Sequence, residues 1–238
     1  MKTDKTRKEV TDALSERYDT VTVMAEGEGK TVIQIRHRKT GRPFIIKSFE
    51  GGAPVYEFLS GIECEGLPRV CDVIGCSDGS VVIEEFINGT LLSSVMRRGL
   101  MKYKEAKKII LRLCGILAVL HENGFVHRDV KPENIMISDN GELKLIDFDA
   151  ARVYDTEKTS DTRVLGTVGY ASPEQFGMAQ SDCRSDIYAL GVLLNELITG
   201  AHPSEQVAHG RAGRIVLKCT QINPDLRYQT VEKLAEAL

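Results

Sequence analysis

His127-Arg128-Asp129-Val130-Lys131-Pro132-Glu133-Asn134, followed thirteen residues after its Asn by Asp147-Phe148-Asp149, is the stretch on which the reading of this chain turns. Asp129 is a proton acceptor, Lys131 a cation on a long stem, and Asn134 and Asp147 are hard oxygen donors of the kind Mg2+ takes. By itself His127-Arg128-Asp129 would recur by chance in ordinary charged surface turns. Order decides against chance. An apolar strand ending in a lysine, Pro43-Phe44-Ile45-Ile46-Lys47, precedes the stretch, and Ser172-Pro173-Glu174 and then an apolar helix follow it.

Composition sets the frame. With 238 residues the chain is long enough for one two-lobed domain with a sizeable core. Its 42% hydrophobic and 27% charged residues are those of a folded globular protein and exclude a disordered or fibrous class. A net charge of −3, with Arg36-His37-Arg38-Lys39 as the main basic run, argues against a nucleic-acid partner. The six cysteines (64, 71, 76, 114, 183 and 219) form no CxxC pair and no metal-like spacing with His, so reduced thiols in a cytoplasmic protein are expected. No run of about 18 apolar residues offers a membrane span, and Met1 to Lys8 lacks the apolar centre of a signal peptide.

Residues 1 to about 17 read as a short leading helix. Val21-Thr22-Val23-Met24, Thr31-Val32-Ile33-Gln34-Ile35, Pro43 to Lys47 and Val81-Val82-Ile83 read as strands, with Glu84 to Gly89 connecting a β-rich part to a helical one. Tyr103, Ala106, Ile110, Leu113, Leu117 and Leu120 step by three or four and predict a helix that ends at Gly124. Ile135-Met136-Ile137 and Leu143-Lys144-Leu145-Ile146 flank Asp139-Asn140-Gly141, a hairpin signal. Ser185 is expected to cap a helix from Asp186 to Thr199 that Gly200 stops.

In this order the motifs resemble the eukaryotic-like (Hanks-type) Ser/Thr protein kinases, and the run Gly166-Thr167-Val168-Gly169-Tyr170-Ala171-Ser172-Pro173-Glu174-Gln175 looks bacterial. The resemblance covers residues 20–238 and leaves 1–19 as an N-terminal extension. It implies an α+β, bilobal kinase fold, with a small β-rich N-lobe (about 20–87), a mostly helical, shortened C-lobe (about 88–238), and ATP and Mg2+ between them. Asp129 would accept the proton of a substrate Ser or Thr hydroxyl, Lys131 would steady the moving phosphoryl group, and Asn134 and Asp147 would hold metal. Lys131 two places after Asp129, and Thr167 bridging the pair, point to Ser/Thr over Tyr.

The same resemblance sets Lys47 against the α- and β-phosphates and pairs it with a Glu from the next helix. Glu57 is the candidate, although an ungapped count back from Leu67-Pro68 lands on Val55, about 200° around a helix from it. Val32, Ile45 and Met136 would enclose the adenine, Ile83 would be the gatekeeper, and Glu84 and Phe86 would offer hinge backbone. Of the three glycines of the phosphate loop only Gly27 falls in place, Ala25 and Lys30 taking the other positions, with Gly29 close by. Backbone amides around Gly27 and Gly29 are expected to cradle phosphate. Asp149 stands where the family has Gly, which should restrict flipping of the metal motif.

Glu174 is expected to form a buried ion pair with Arg227, and Asp186 to bind the backbone of the catalytic loop. Thr156, Thr159, Ser160 and Thr162 are candidate phosphorylation sites that Arg128 would bind. Only 26 residues lie between Gly200 and Arg227, so His209-Gly210-Arg211-Ala212-Gly213 reads as a tight bypass in a minimal C-lobe. The main reading is therefore a protein kinase with a Ser/Thr-bearing protein substrate. The alternative is a pseudokinase that binds nucleotide and acts as a scaffold, motivated by the degraded Gly loop. A small-molecule phosphotransferase is disfavoured by Glu174, Asp186 and Arg227 together.

Overall fold

Alternation along the strands builds the first of two units, Met1–Asn88 and Gly89–Leu238, into which the chain divides. The computed structural model describes residues 2–27, 29–154, 167, 169–176 and 180–238. In the first unit β1 (Tyr18–Gly27), β2 (Lys30–His37), β3 (Pro43–Phe49), β4 (Val70–Cys76) and β5 (Gly79–Glu85) form one antiparallel sheet in the order β1-β2-β3-β5-β4. Side chains of a strand alternate between faces, and antiparallel partners share a face. Ile46 therefore lies with its partners Ile33 and Ile83, while Lys47 lies with Val32 and Val82.

The first face is the core. Ile35, Ile46, Val81 and Ile83 are buried against Val10 of helix α1 (Arg7–Leu14), with Leu14, Ile33 and Phe44 around them. Each such buried aliphatic contributes roughly 1.5–3 kcal/mol. The leading helix is thus real, and a capping box starts it: the Glu9 amide donates to Thr6 Oγ1 (3.3 Å) and the Thr6 amide to Glu9 Oε2 (2.7 Å). Helix α2 (Pro54–Leu59) has only six residues and buries Val55, Tyr56 and Leu59.

The second unit is mainly helical, so the mixed α+β class expected from the sequence is the one observed. It comprises β6 (Gly89–Leu91), α3 (Leu92–Met96), α4 (Tyr103–Glu122), β7 (Phe125–Val126), β8 (Ile135–Ser138), β9 (Leu143–Leu145), β10 (Arg152–Val153), α5 (Cys183–Thr199), α6 (Gly210–Cys219) and α7 (Val231–Ala237). Helix α4 buries Ala106, Ile110, Leu113, Leu117 and Leu120, the predicted stripe. The hairpin β8–β9 pairs Ile135 with Leu145 and Ile137 with Leu143 across the Asn140-Gly141 turn.

Two expectations are corrected here. Helix α5 starts three residues early, capped by Asp182, whose side chain accepts from the Arg184 amide at 2.8 Å. Ser185 lies in its first turn and donates to Glu174 Oε1 at 2.7 Å. The glycine-rich stretch read as a bypass instead opens helix α6. Helices α5 and α6 approach closely at Gly191, where an added Cβ would lie 2.3 Å from the Cβ of Cys219. Gly191→Ala should therefore destabilise by about 1–3 kcal/mol through overpacking, read as a lower urea midpoint with unchanged slope. No helix of the described residues is long and apolar enough to cross a membrane.

Candidate active site

A buried carboxylate fixes the loop that carries Asp129. Asp186, in the first turn of α5, accepts the His127 amide at 3.0 Å, the Arg128 amide at 2.8 Å and His121 Nε2 at 2.8 Å. Burial raises its pKa, but the hydrogen bonds from the His121 ring and the His127 amide help to outweigh this, and the net shift is below the usual carboxylate range. From the other side Gln175 Nε2 donates to the Arg128 carbonyl at 2.8 Å. Between these anchors Arg128 adopts a left-handed backbone, φ 68°. A non-glycine residue there costs on the order of 1–3 kcal/mol, and the surrounding bonds hold it.

The strained turn presents the Asp129 carboxylate to three donors. Lys131 Nζ lies 2.8 Å from Oδ2, Asn134 Nδ2 donates to Oδ2 at 2.8 Å, and Thr167 Oγ1 donates to Oδ1 at 2.7 Å. Lys131 Nζ donates to Thr167 Oγ1 at 2.6 Å, so the threonine bridges the pair. Burial pushes the Asp129 pKa up, but the bonds from Lys131, Thr167 and Asn134 push it down further, and the net shift is downward. The carboxylate is ionised throughout the neutral range.

Asn134 follows from a short 3-10 turn, Pro132–Asn134, and its Nδ2 also donates to the Asp129 carbonyl at 2.9 Å, leaving the amide oxygen for other work. The Ile146 amide donates to the Asn134 carbonyl at 2.8 Å and ties the end of β9 to the same loop. Asp147 comes next, also left-handed at φ 64°, and its Oδ1 accepts the Asp149 amide at 3.4 Å. Phe148 is buried with its ring 5.1 Å from that of His127, edge to face.

Burial lowers the pKa of His127, which is held neutral. Its folded pKa lies below the unfolded value of about 6.5, so its contribution is fully present above that pH and is lost as pH falls through the folded value. Urea midpoints should therefore begin to fall just below pH 6.5, before any carboxylate is protonated. A flat profile from pH 7.5 to 5 would contradict this.

Glu174 and Arg227 meet in a buried fork, Nη1 to Oε1 at 2.7 Å and Nη2 to Oε2 at 2.8 Å, as the sequence suggested. In the first unit, Lys47 Nζ lies 2.9 Å from Glu84 Oε1, with both side chains 6% exposed, and donates to the Tyr56 hydroxyl at 3.2 Å.

Residues 18–238 match the protein kinase domain family. The chain belongs to that family. The kinase domain is 44% identical over 124 residues to the serine/threonine-protein kinase PknL of Mycobacterium tuberculosis, covering 52% of this chain and 31% of that one. It is 36% identical over 180 residues to PknB of the same species, covering 64% and 29%. It is 29% identical over 203 residues to a probable serine/threonine-protein kinase, CPE1738, of Clostridium perfringens, covering 80% and 30%. The chain spans about a third of the length of these relatives.

Two residues of the expected set are not where the kinase domain needs them. Glu57 is exposed on α2 and does not reach Lys47; Val55, the other position considered, is buried. Ile83 cannot be the gatekeeper, because it packs with Ile35, Ile46 and Val81 on the face covered by α1. Glu84, read as hinge backbone, is the residue whose side chain shares a face with Ile45 and Lys47. Strand period explains the error: a slip of one residue turns every side chain to the opposite face. The alternation of Val82 and Glu84 against Val81 and Ile83 was the signal in the sequence.

Val32 is opposite Lys47 and Ile45 opposite Glu84, on one face of the sheet; Phe86 follows β5, half-buried. Met136 lies on β8 opposite Lys144 and Leu91. The β1–β2 hairpin closes on the pair Gly27 and Lys30, with Gly29 at φ 72°. Arg7 Nη1 donates to the Gly29 carbonyl at 2.7 Å and an added Cβ would meet Glu50, so this turn is tied back to the leading helix. Thr156, Thr159, Ser160 and Thr162 lie outside the described residues.

Proposed function

We propose that this kinase domain transfers the γ-phosphoryl group of ATP to Ser or Thr hydroxyls of a protein. The observation that carries the reading is the Asp129 carboxylate, ionised and held by Lys131, Asn134 and Thr167. In phosphoryl transfer the protein mainly positions groups and stabilises charge. Asp129 accepts the hydroxyl proton as the oxygen attacks. Lys131 neutralises charge on the moving group, and Thr167 keeps the ammonium and the carboxylate in register. Lys47 binds the α- and β-phosphates, and Val32, Ile45 and Met136 pack on the base.

Mg2+ prefers a few hard oxygens plus substrate phosphates over an all-protein cage. The Asn134 amide oxygen, left over once Nδ2 is used on Asp129, and the Asp147 carboxylate fit that demand. When bound, the ion would neutralise phosphate charge. A pseudokinase is not favoured, since Lys47, Asp129, Lys131, Asn134 and Asp147 are all present.

The reading is tested by following ADP release with a generic basic protein as acceptor, with Mg2+ and with excess chelator. Acceptor-dependent release that chelator stops is the expected result. Nucleotide binding with no release under any condition would hand the chain to the scaffold reading.

A further inference from the structure

We infer that Glu84 of strand β5, in place of a glutamate of helix α2, is the residue that positions Lys47 for nucleotide. This rests on the proposed role of Lys47 at the triphosphate. The two side chains are set by the sheet alone. Ile45 is opposite Glu84 and Lys47 opposite Val82 on adjacent strands, so Glu84 and Lys47 lie diagonally on one face, within reach of long side chains. Their charged atoms are 2.9 Å apart and both side chains are 6% exposed.

Helix α2 offers no carboxylate there: Glu57 is exposed, and the helix reaches Lys47 through the Tyr56 hydroxyl, with the ammonium 5.3 Å from the ring centroid. Stability does not explain a glutamate at position 84. Its Oε2 is buried with no hydrogen-bond partner among the described residues, and its neighbours Ile45 and Val82 are apolar. A buried ion pair adds little to stability over an apolar pair of the same size, while an unsatisfied buried oxygen costs. The carboxylate is accounted for by what it does to Lys47. One consequence is regulatory. In kinases whose lysine pairs with a helix glutamate, the position of that helix controls activity. Here the pair is assembled by strand register, so movement of α2 cannot break it.

The test compares wild type with Glu84→Gln, Glu57→Gln, Lys47→Met and the double variant Lys47→Met/Glu84→Gln, measuring kcat, KM for ATP and Mg-ATP affinity. Thermal melting checks folding. A displaced phosphate-binding group costs on the order of 100-fold. Glu84→Gln should lose about that in kcat/KM, Glu57→Gln should match wild type, and Glu84→Gln should cost nothing further once Lys47 is Met. Additive losses in the double variant would mark Glu84 as merely structural and overturn the inference, as would a loss in Glu57→Gln as large as that in Lys47→Met.

Should Glu84→Gln fail to fold, Glu84→Asp replaces it, keeping the charge but drawing it back by one methylene. A raised KM for ATP with an unchanged melt supports the inference, and unchanged kinetics sinks it. Should wild type transfer no phosphate, the proposed function fails separately, and the inference is judged on Mg-ATP affinity. Weakening by about tenfold or more in Glu84→Gln but not in Glu57→Gln supports it; equal affinities, or no binding by wild type, overturn it.

Discussion

Asp129→Asn should lower phosphoryl transfer by about 10²–10⁴-fold, the range that a positioned general base contributes, while the protein melts close to the wild-type temperature. The substitution is nearly isosteric. It keeps an oxygen for Thr167 or Asn134 but removes the negative charge that Lys131 meets at 2.8 Å and with it the proposed acceptor of the hydroxyl proton. KM for ATP should change little if Asp129 acts, as proposed, on the acceptor hydroxyl rather than on the nucleotide. The depressed pKa adds a second expectation. Since the carboxylate is ionised well below neutrality, the rate should show no Asp129 titration between pH 6 and 8, and its acid limb should fall below the ordinary aspartate value of about 3.9. A residual rate above a tenth of wild type in the variant would remove Asp129 from the chemistry.

Arg227→Met should be the most destabilising substitution, by about 3–5 kcal/mol, because it leaves Glu174 buried without its partner. The Arg227 side chain is fully buried in the ion pair, and its other donors serve the carbonyls of Gln221, Ile222 and Arg184. Against a typical total of about 5–15 kcal/mol, such a loss threatens folding itself. Removing both charges, as Glu174→Leu with Arg227→Met, should recover part of it. The Glu174 pKa is raised by burial but lowered further by Arg227 and Ser185, so its net shift is downward. The pair's contribution is therefore complete above the ordinary glutamate pKa of about 4.3 and is lost as pH falls through the lower folded value. Urea denaturation of the three proteins at pH 7, repeated for wild type toward pH 3, checks both statements. A single-variant loss below 1 kcal/mol would contradict the buried-pair account.

Local signals made much of this molecule legible before its structure. Asn140-Gly141 fixed the hairpin, the three-four stepping of α4 placed its buried face, and Gly200 stops α5 in the left-handed conformation that favours glycine. The cluster around Asp129 was legible because motif order supplied what spacing alone could not. What failed were questions of phase. Whether Ile83 or Glu84 faces Lys47 depends on pairing across β3 and β5, and a one-residue difference reverses the answer. Glu57 failed for a similar reason, since a six-residue helix fixes few directions and spends its buried face on Val55, Tyr56 and Leu59. Strand β4 went unread because Asp72 and Gly75 break its apolar run. Asp182 displaced Ser185 as the cap because either side chain can bind a free amide, and only the backbone path chooses between them. The left-handed turn at Arg128 has no local signature, being imposed by bonds from the distant residues Asp186 and Gln175.

The most direct test of the central claim is to incubate the purified chain with γ-labelled ATP, Mg2+ and a protein acceptor, then hydrolyse the labelled product and separate its phosphoamino acids. Label in phosphoserine or phosphothreonine, absent with Asp129→Asn, is the predicted result. No labelled phosphoamino acid from wild type, or label in phosphotyrosine alone, would contradict the account.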